Sequence, residues 1–279
     1  MMIGQMVIAL REGLEALLLV TILVTYLRKV GKERLVPFAV YGALAAVAFG
    51  IVAALTLLML YGGLEKMQKM LFEGIAAFIA AVVLTYMIYW MAVKSGEMRA
   101  RVVKKAGEGK PAIMVASFIF VVREVIETVL FMIPFAAKDP ESTVLGLVAG
   151  IVLAALITGI FVTGIGLDIR RFFYYSSILL ILIAASLAGY GVHELVEYAE
   201  ELQIELGWLN NPAYDLGLDD DSLLHPDGII GSVLTVFGYT ERAEWARLMT
   251  YLGYLSIALP VVLRVYAKGD KGILTIKSN

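Results

Sequence analysis

The sequence predicts an all-α, polytopic membrane protein: seven transmembrane helices, arranged as two inverted three-helix repeats with an extra C-terminal helix. Three observations carry this expectation. Of the 279 residues, 60% are hydrophobic and only 17% charged, with a mean hydropathy of +0.84, more apolar surface than a water-soluble domain buries. Lysine and arginine are unequally shared between alternate loops. A charged pattern, Arg11-Glu12-Gly13-Leu14-Glu15, returns as Arg123-Glu124-Val125-Ile126-Glu127. The net charge of -2 says little, because charge placement matters more than its sum. The absence of cysteine removes disulfides, thiolate metal sites and thiol redox chemistry.

A spanning helix needs roughly 20 mostly apolar residues, and the chain offers seven such stretches in order. The first, 4–27, has no basic residue ahead of it and holds three charges, so it is expected to be retained rather than cleaved as a signal peptide. The second, 37–61, is uncharged and opens on Pro37, which a first helical turn tolerates. The third and fourth are 72–93 and 112–137. The fifth, 143–167, carries Gly146, Gly150, Gly159, Gly164 and Gly166, a composition that favours close helix packing in lipid. The sixth is 172–198. The seventh, 248–263, is short, so Arg247 and Arg264 are expected to snorkel at its ends. Tyr26, Trp90, Tyr174, Trp245 and Tyr266 fall near span ends, as an interfacial aromatic belt requires.

With the N-terminus outside, 16 of the 23 lysines and arginines fall on the inner side and five outside, with Arg11 and Arg123 inside the spans. This asymmetry sets the orientation as N-terminus outside and C-terminus inside. The basic loop after the third span is a topology signal, and no nucleic-acid partner is expected. Three spans separate the two charged motifs, and an odd number turns the second copy over. The expected units are therefore 1–93 and 112–198 as repeats, 199–241 as an acidic extracytoplasmic loop, and 245–267 as the seventh helix. Gly50-Ile51-Val52 against Gly150-Ile151-Val152 is the only further likeness between the halves. Inverted repeats build alternating-access transporters, with the site at mid-membrane between the halves.

Charges are most costly in the middle of a span, so the two motifs are the functional candidates. Helical spacing puts Glu12 and Glu15 on one face with Arg11 beside Glu15, and repeats this for Glu124, Glu127 and Arg123. Salt bridging alone needs one glutamate per arginine, whereas each copy has two. Four carboxylates against two arginines leave two negative charges, which a divalent cation balances. Carboxylate oxygens suit hard ions such as iron, manganese, magnesium or calcium. A second cluster, Glu73 with His193, Glu194 and Glu197, lies at the outer side and is a candidate access site. His193 and Glu197 have metal-ligand spacing. Asp219-Asp220-Asp221 is a candidate cation-collecting stretch, although a solvated loop explains it better, since clustered acids are common in exposed segments. Met87, Met91 and Met132 are expected to pack rather than to ligate.

The two Arg-Glu-x-x-Glu motifs resemble the signature of the high-affinity iron permease family, which includes fungal oxidase-coupled and bacterial ferrous-iron permeases. Phe72-Glu73-Gly74, Leu84-Thr85-Tyr86-Met87, Trp90-Met91, Gly191-Val192-His193-Glu194-Leu195 and Phe237-Gly238-Tyr239-Thr240 are similar to that family too. Val125 departs from the family's usual glycine, which Gly13 keeps. The resemblance implies iron, ferrous or ferric, as the transported substrate. It also implies no resident cofactor and no enzymatic reaction, a cytoplasmic-membrane location, and an extracytoplasmic oxidase or iron-binding partner. Glu12, Glu15, Glu124 and Glu127 would carry the ion, with Arg11 and Arg123 tuning their charge. Two alternatives remain open: a permease for another hard cation such as manganese, or an intramembrane zinc hydrolase. The latter would use His193-Glu194-x-x-Glu197 with His225 as a further ligand.

Overall fold

The computed structural model describes residues 2–94, 109–162, 169–219, 222–226 and 229–276. Eight α-helices occur among them: α1 (Met2–Lys29), α2 (Val36–Gly62), α3 (Lys66–Lys94), α4 (Lys110–Lys138), α5 (Pro140–Val162), α6 (Ile169–Glu201), α7 (Ile229–Thr235) and α8 (Trp245–Ile276). Proline sits in the first turn of both α2 and α4, where its missing N–H costs nothing. Five helical stretches are long and apolar enough to cross a membrane: Glu33–Gly62, Lys66–Trp90, Pro140–Val162, Tyr174–Glu201 and Trp245–Arg264. The protein is membrane-embedded. Helices α1 and α4 are as long, at 28 and 29 residues, but each carries three charges at its centre, which lowers its apolar character.

Packing follows residue size. Helices α2 and α5 bury little beyond small residues: Ala39, Gly42, Ala46 and Gly50 on α2, and Gly146, Gly150 and Ala154 with Thr143 and Thr158 on α5. Their large apolar side chains, such as Leu55, Met59, Val148 and Leu156, point outward, as a lipid-facing helix demands. Helix α5 lies against α1, α2 against α4, and α3 against α6, while α1 also meets α4. The shared core is drawn from Ile8, Leu18, Leu84, Phe131, Leu180 and Leu187.

The last long helix spans Trp245–Ile276, with its apolar, membrane-crossing part at Trp245–Arg264, because a polar tail can extend a helix beyond its apolar segment. Within the loop region a two-stranded antiparallel clip departs from the all-α expectation: β1 (Pro212–Asp215) pairs with β2 (Arg242–Glu244). Strands of four and three residues carry too little alternation to be legible in sequence. Ile229–Thr235 forms the seven-residue α7, and Val236 behind it is buried against Gly4 of α1.

A Cβ on Gly146 would lie 2.7 Å from the Met2 carbonyl oxygen and 2.8 Å from Gln5 Cβ, whereas one on Gly159 would meet nothing. Gly146→Ala should therefore lower the unfolding temperature, with a cost of about 1–3 kcal/mol from overpacking. Gly159→Ala should be neutral or slightly stabilising, since alanine is the better helix former by about 1 kcal/mol. Thermal unfolding of the two purified variants in detergent checks the contrast.

Candidate metal centre

Helix α1 buries Arg11, Glu12 and Glu15 almost completely, and α4 brings Glu124, also buried, to meet them. One carboxylate oxygen each from Glu12, Glu15 and Glu124 lies within 4.8 Å of the others, close enough to share one ion. It is the one such grouping among the described residues. The Arg11 guanidinium reaches Glu12 at 2.9 Å and Glu15 at 3.2 Å, and the same Nη1 donates to the Met87 sulfur at 2.8 Å. The Arg11–Glu15 contact is an ion pair without hydrogen-bond alignment, and further oxygens of Glu12 and Glu124 have no hydrogen-bond partner. Buried carboxylate oxygens left without donors are costly unless a ligand satisfies them.

The second copy is arranged differently. Arg123 bonds to Glu127 at 2.9 Å, stands 4.0 Å from Glu124, and is 42% exposed. Its guanidinium lies 4.8 Å from the centre of the Trp90 ring, a cation–π contact. Glu127 is thus occupied by its own arginine and stands outside the close trio, although one of its oxygens is unpartnered. Met87 and Trp90 are one turn apart on α3, so a single helix holds both motif arginines. Sequence reasoning placed Trp90 in an aromatic belt and Met87 in packing. Neither type of residue announces a long-range cationic partner.

The outer candidates stay linked: Tyr190 engages both Glu73 and Glu194, and Glu194 acts electrostatically with Glu73, Glu197 and His193. Glu73 accepts hydrogen bonds from the hydroxyls of Tyr61 and Tyr190. His193 sits between Glu244, 3.1 Å from Nδ1, and Glu197, 3.4 Å from Nε2. His225 pairs with Glu241 at 3.5 Å, so it does not complete a zinc site with His193. Tyr61, Tyr190 and Glu244 have no spacing relation to their partners and were invisible in the sequence. Asp219 is exposed; Asp220 and Asp221 lie outside the described residues.

The whole arrangement coincides with a sequence match to the family described as "Iron permease FTR1 family", over residues 2–264. The chain belongs to the iron permease FTR1 family. It is 47% identical over 270 residues to an uncharacterised protein of Archaeoglobus fulgidus, covering 96% of each chain. It is 28% identical over 265 residues to the ferrous iron permease EfeU of Escherichia coli, covering 90% of this chain and 92% of that one. A Yersinia pestis protein of the same description is also 28% identical, with 90% of each chain covered. No solved structure matches the chain. Membership makes the protein an iron permease, a transporter.

On the outer side, burial works to raise the Glu244 carboxyl, but its hydrogen bond to His193 and the charges of His193 and Arg247 hold it below the usual carboxylate range. Such a depressed group contributes stability above its unfolded value of about 4.3 and loses it as pH falls through the lower folded value. The unfolding-temperature gap between wild type and Glu244→Gln should be open at about pH 5.5 and close below about pH 4. A gap that persists unchanged at about pH 3 would contradict the assignment.

Proposed function

We propose that the protein carries ferrous iron inward across the cytoplasmic membrane, with Glu12, Glu15 and Glu124 as the first ligands and Glu127 as a fourth. The observation that carries this reading is the buried trio of carboxylates from two helices. Arg11 neutralises one of the three charges, and Arg123 cancels Glu127, so the empty site holds two negative charges. A divalent ion balances them, while a trivalent one needs a further anion. Carboxylate oxygens without donors wait for a hard cation rather than a soft one. Metal binding at such a site competes with protons, so uptake is expected to release them.

The direction and mechanism rest on a seven-span, N-out reading in which α1–α3 and α4–α6 form inverted repeats and α8 is additional. The helix contacts support it. Exchanging α1 with α4, α2 with α5 and α3 with α6 turns the contacts α1–α5, α2–α4, α3–α6 and α1–α4 into themselves. The local contacts agree. Gly42 approaches Met114 and Phe118, and Gly146 approaches Met2 and Met6, the same distance along α4 and α1 from their motifs. In this register Gly50 corresponds to Ala154, and not to Gly150 as the local sequence likeness implied. Gly13 meets Ala154 where Val125 meets Gly50, so the larger residue changes sides and the departure at Val125 is complemented by its neighbour. Rocking of one half against the other would expose the trio to each side in turn. Arg11 and Arg123 hold the vacant site together, and Arg11 yields its glutamates as iron enters. The outer acidic loop gathers cations, and an extracytoplasmic partner delivers them there.

Glu15→Gln and Glu124→Gln should each reduce radio-iron uptake into proteoliposomes by an order of magnitude or more, since even loss of an outer-shell partner costs 10–100-fold at metal sites. Both variants should keep the wild-type elution profile in detergent, which shows that they remain folded. Wild-type uptake by both would refute the central site. Excess manganese in the same assay should compete only weakly.

A further inference from the structure

Two adjoining cavities, of about 320 and 260 Å³, open beside the first turn of α8 and have no part in the carboxylate centre. Ser186, Tyr239, Thr240 and Arg247 line both and form the wall between them. The larger continues into an apolar chamber of Leu234, Phe237, Leu248 and Leu252. The smaller is lined by Lys138, by Arg242, which stands 3.9 Å from Asp215, and by Arg247, with Glu241 the one acid of its lining.

The shape of this double cavity is fixed. Gly238 adopts φ +95°, and its backbone lies on the Tyr251 ring at a distance where no side chain fits. The Tyr251 hydroxyl donates to the Phe237 carbonyl at 2.6 Å, which pins the 237–240 segment over α8. This is the Phe237-Gly238-Tyr239-Thr240 stretch singled out in the sequence, and the transport site makes no use of it.

The chemistry of its wall is unbalanced. Arg247 is half-buried and has no ion pair or side-chain hydrogen bond among the described residues; Glu244 and Glu194 act on it electrostatically, without contact. Glu244 is bound to His193, and Glu241 is bound to His225 and the Leu218 N–H. The Tyr239 hydroxyl is buried and has no hydrogen-bond partner among the described residues. Arg247 is the third residue of α8, where the helix dipole disfavours a cation and favours an anion. A planar guanidinium and a phenol donor, both unsatisfied at a cavity wall, match the oxygens of a tetrahedral oxyanion.

We propose that this double cavity binds a phosphate group, held by Arg247 and Tyr239. Inorganic phosphate fills the smaller chamber alone, whereas a phospholipid would also lay an acyl chain along Leu234, Phe237, Leu248 and Leu252. The site does not depend on the transport reading.

Purified full-length protein in detergent tests this with two probes: inorganic phosphate against chloride at equal ionic strength, and phosphatidylglycerol followed by native mass spectrometry and thermal unfolding. Wild type should bind one of the two saturably, at one per chain. Arg247→Gln should weaken that binding about tenfold or more, and Tyr239→Phe, which removes one oxygen without altering the fold, by a smaller factor. Response to inorganic phosphate supports a free anion, and response to phosphatidylglycerol alone supports a headgroup. Absence of saturable binding of either probe, or affinities unchanged in Arg247→Gln and Tyr239→Phe, overturns the proposal.

Discussion

Three carboxylates share a space from which water is excluded, and only one guanidinium stands among them. In a low-dielectric interior, charges that are not matched by opposite charge or by donors are strongly disfavoured. Arg11 engages Glu12 and Glu15, yet its geometry leaves oxygens on Glu12, Glu15 and Glu124 without hydrogen bonds. The helices must therefore force the acids together against their repulsion. Under the proposed function, a hard divalent cation would match the oxygens that these helices bring together.

That force comes from small residues. Gly146 and Gly150 let α5 approach the backbone of α1, and Gly42 and Gly50 do the same for α2 against α4. Where hydrophobic transfer provides no drive between helices, such close contact is the available source of cohesion. With α1 and α4 each braced from the lipid side, their charged faces meet. Helix α3 then holds both arginines by unlike means, a thioether for Arg11 and an indole for Arg123. One arginine is locked inside and the other half open. The two motif copies are thus alike in sequence but not in arrangement: the first gives two carboxylates to the trio, and the second gives one and pairs its other, Glu127, with Arg123.

Much of this was legible in the chain itself. The apolar stretches announced the long helices, and the three-and-four spacing of charges announced which faces would carry chemistry. Depth and the repeat pattern called for all four motif glutamates to meet, and Glu12, Glu15 and Glu124 lie close together. Contacts without periodic relation were not legible: Met87 with Arg11, Trp90 with Arg123, the two tyrosines on Glu73, and Glu244 on His193. A lone methionine or tyrosine looks the same in sequence whether it packs, faces lipid or donates a hydrogen bond. The exclusion of Glu127 from the close trio depends on the rotation of α4, which charge spacing does not fix. The β1–β2 clip was missed because its strands are shorter than the periods used to recognise them.

Iron-edge anomalous diffraction from crystals of the protein soaked with ferrous iron tests the central claim most directly. One anomalous peak should lie among the carboxylate oxygens of Glu12, Glu15 and Glu124. A peak at His193 and Glu197 instead, with the trio vacant at saturating iron, would contradict the account.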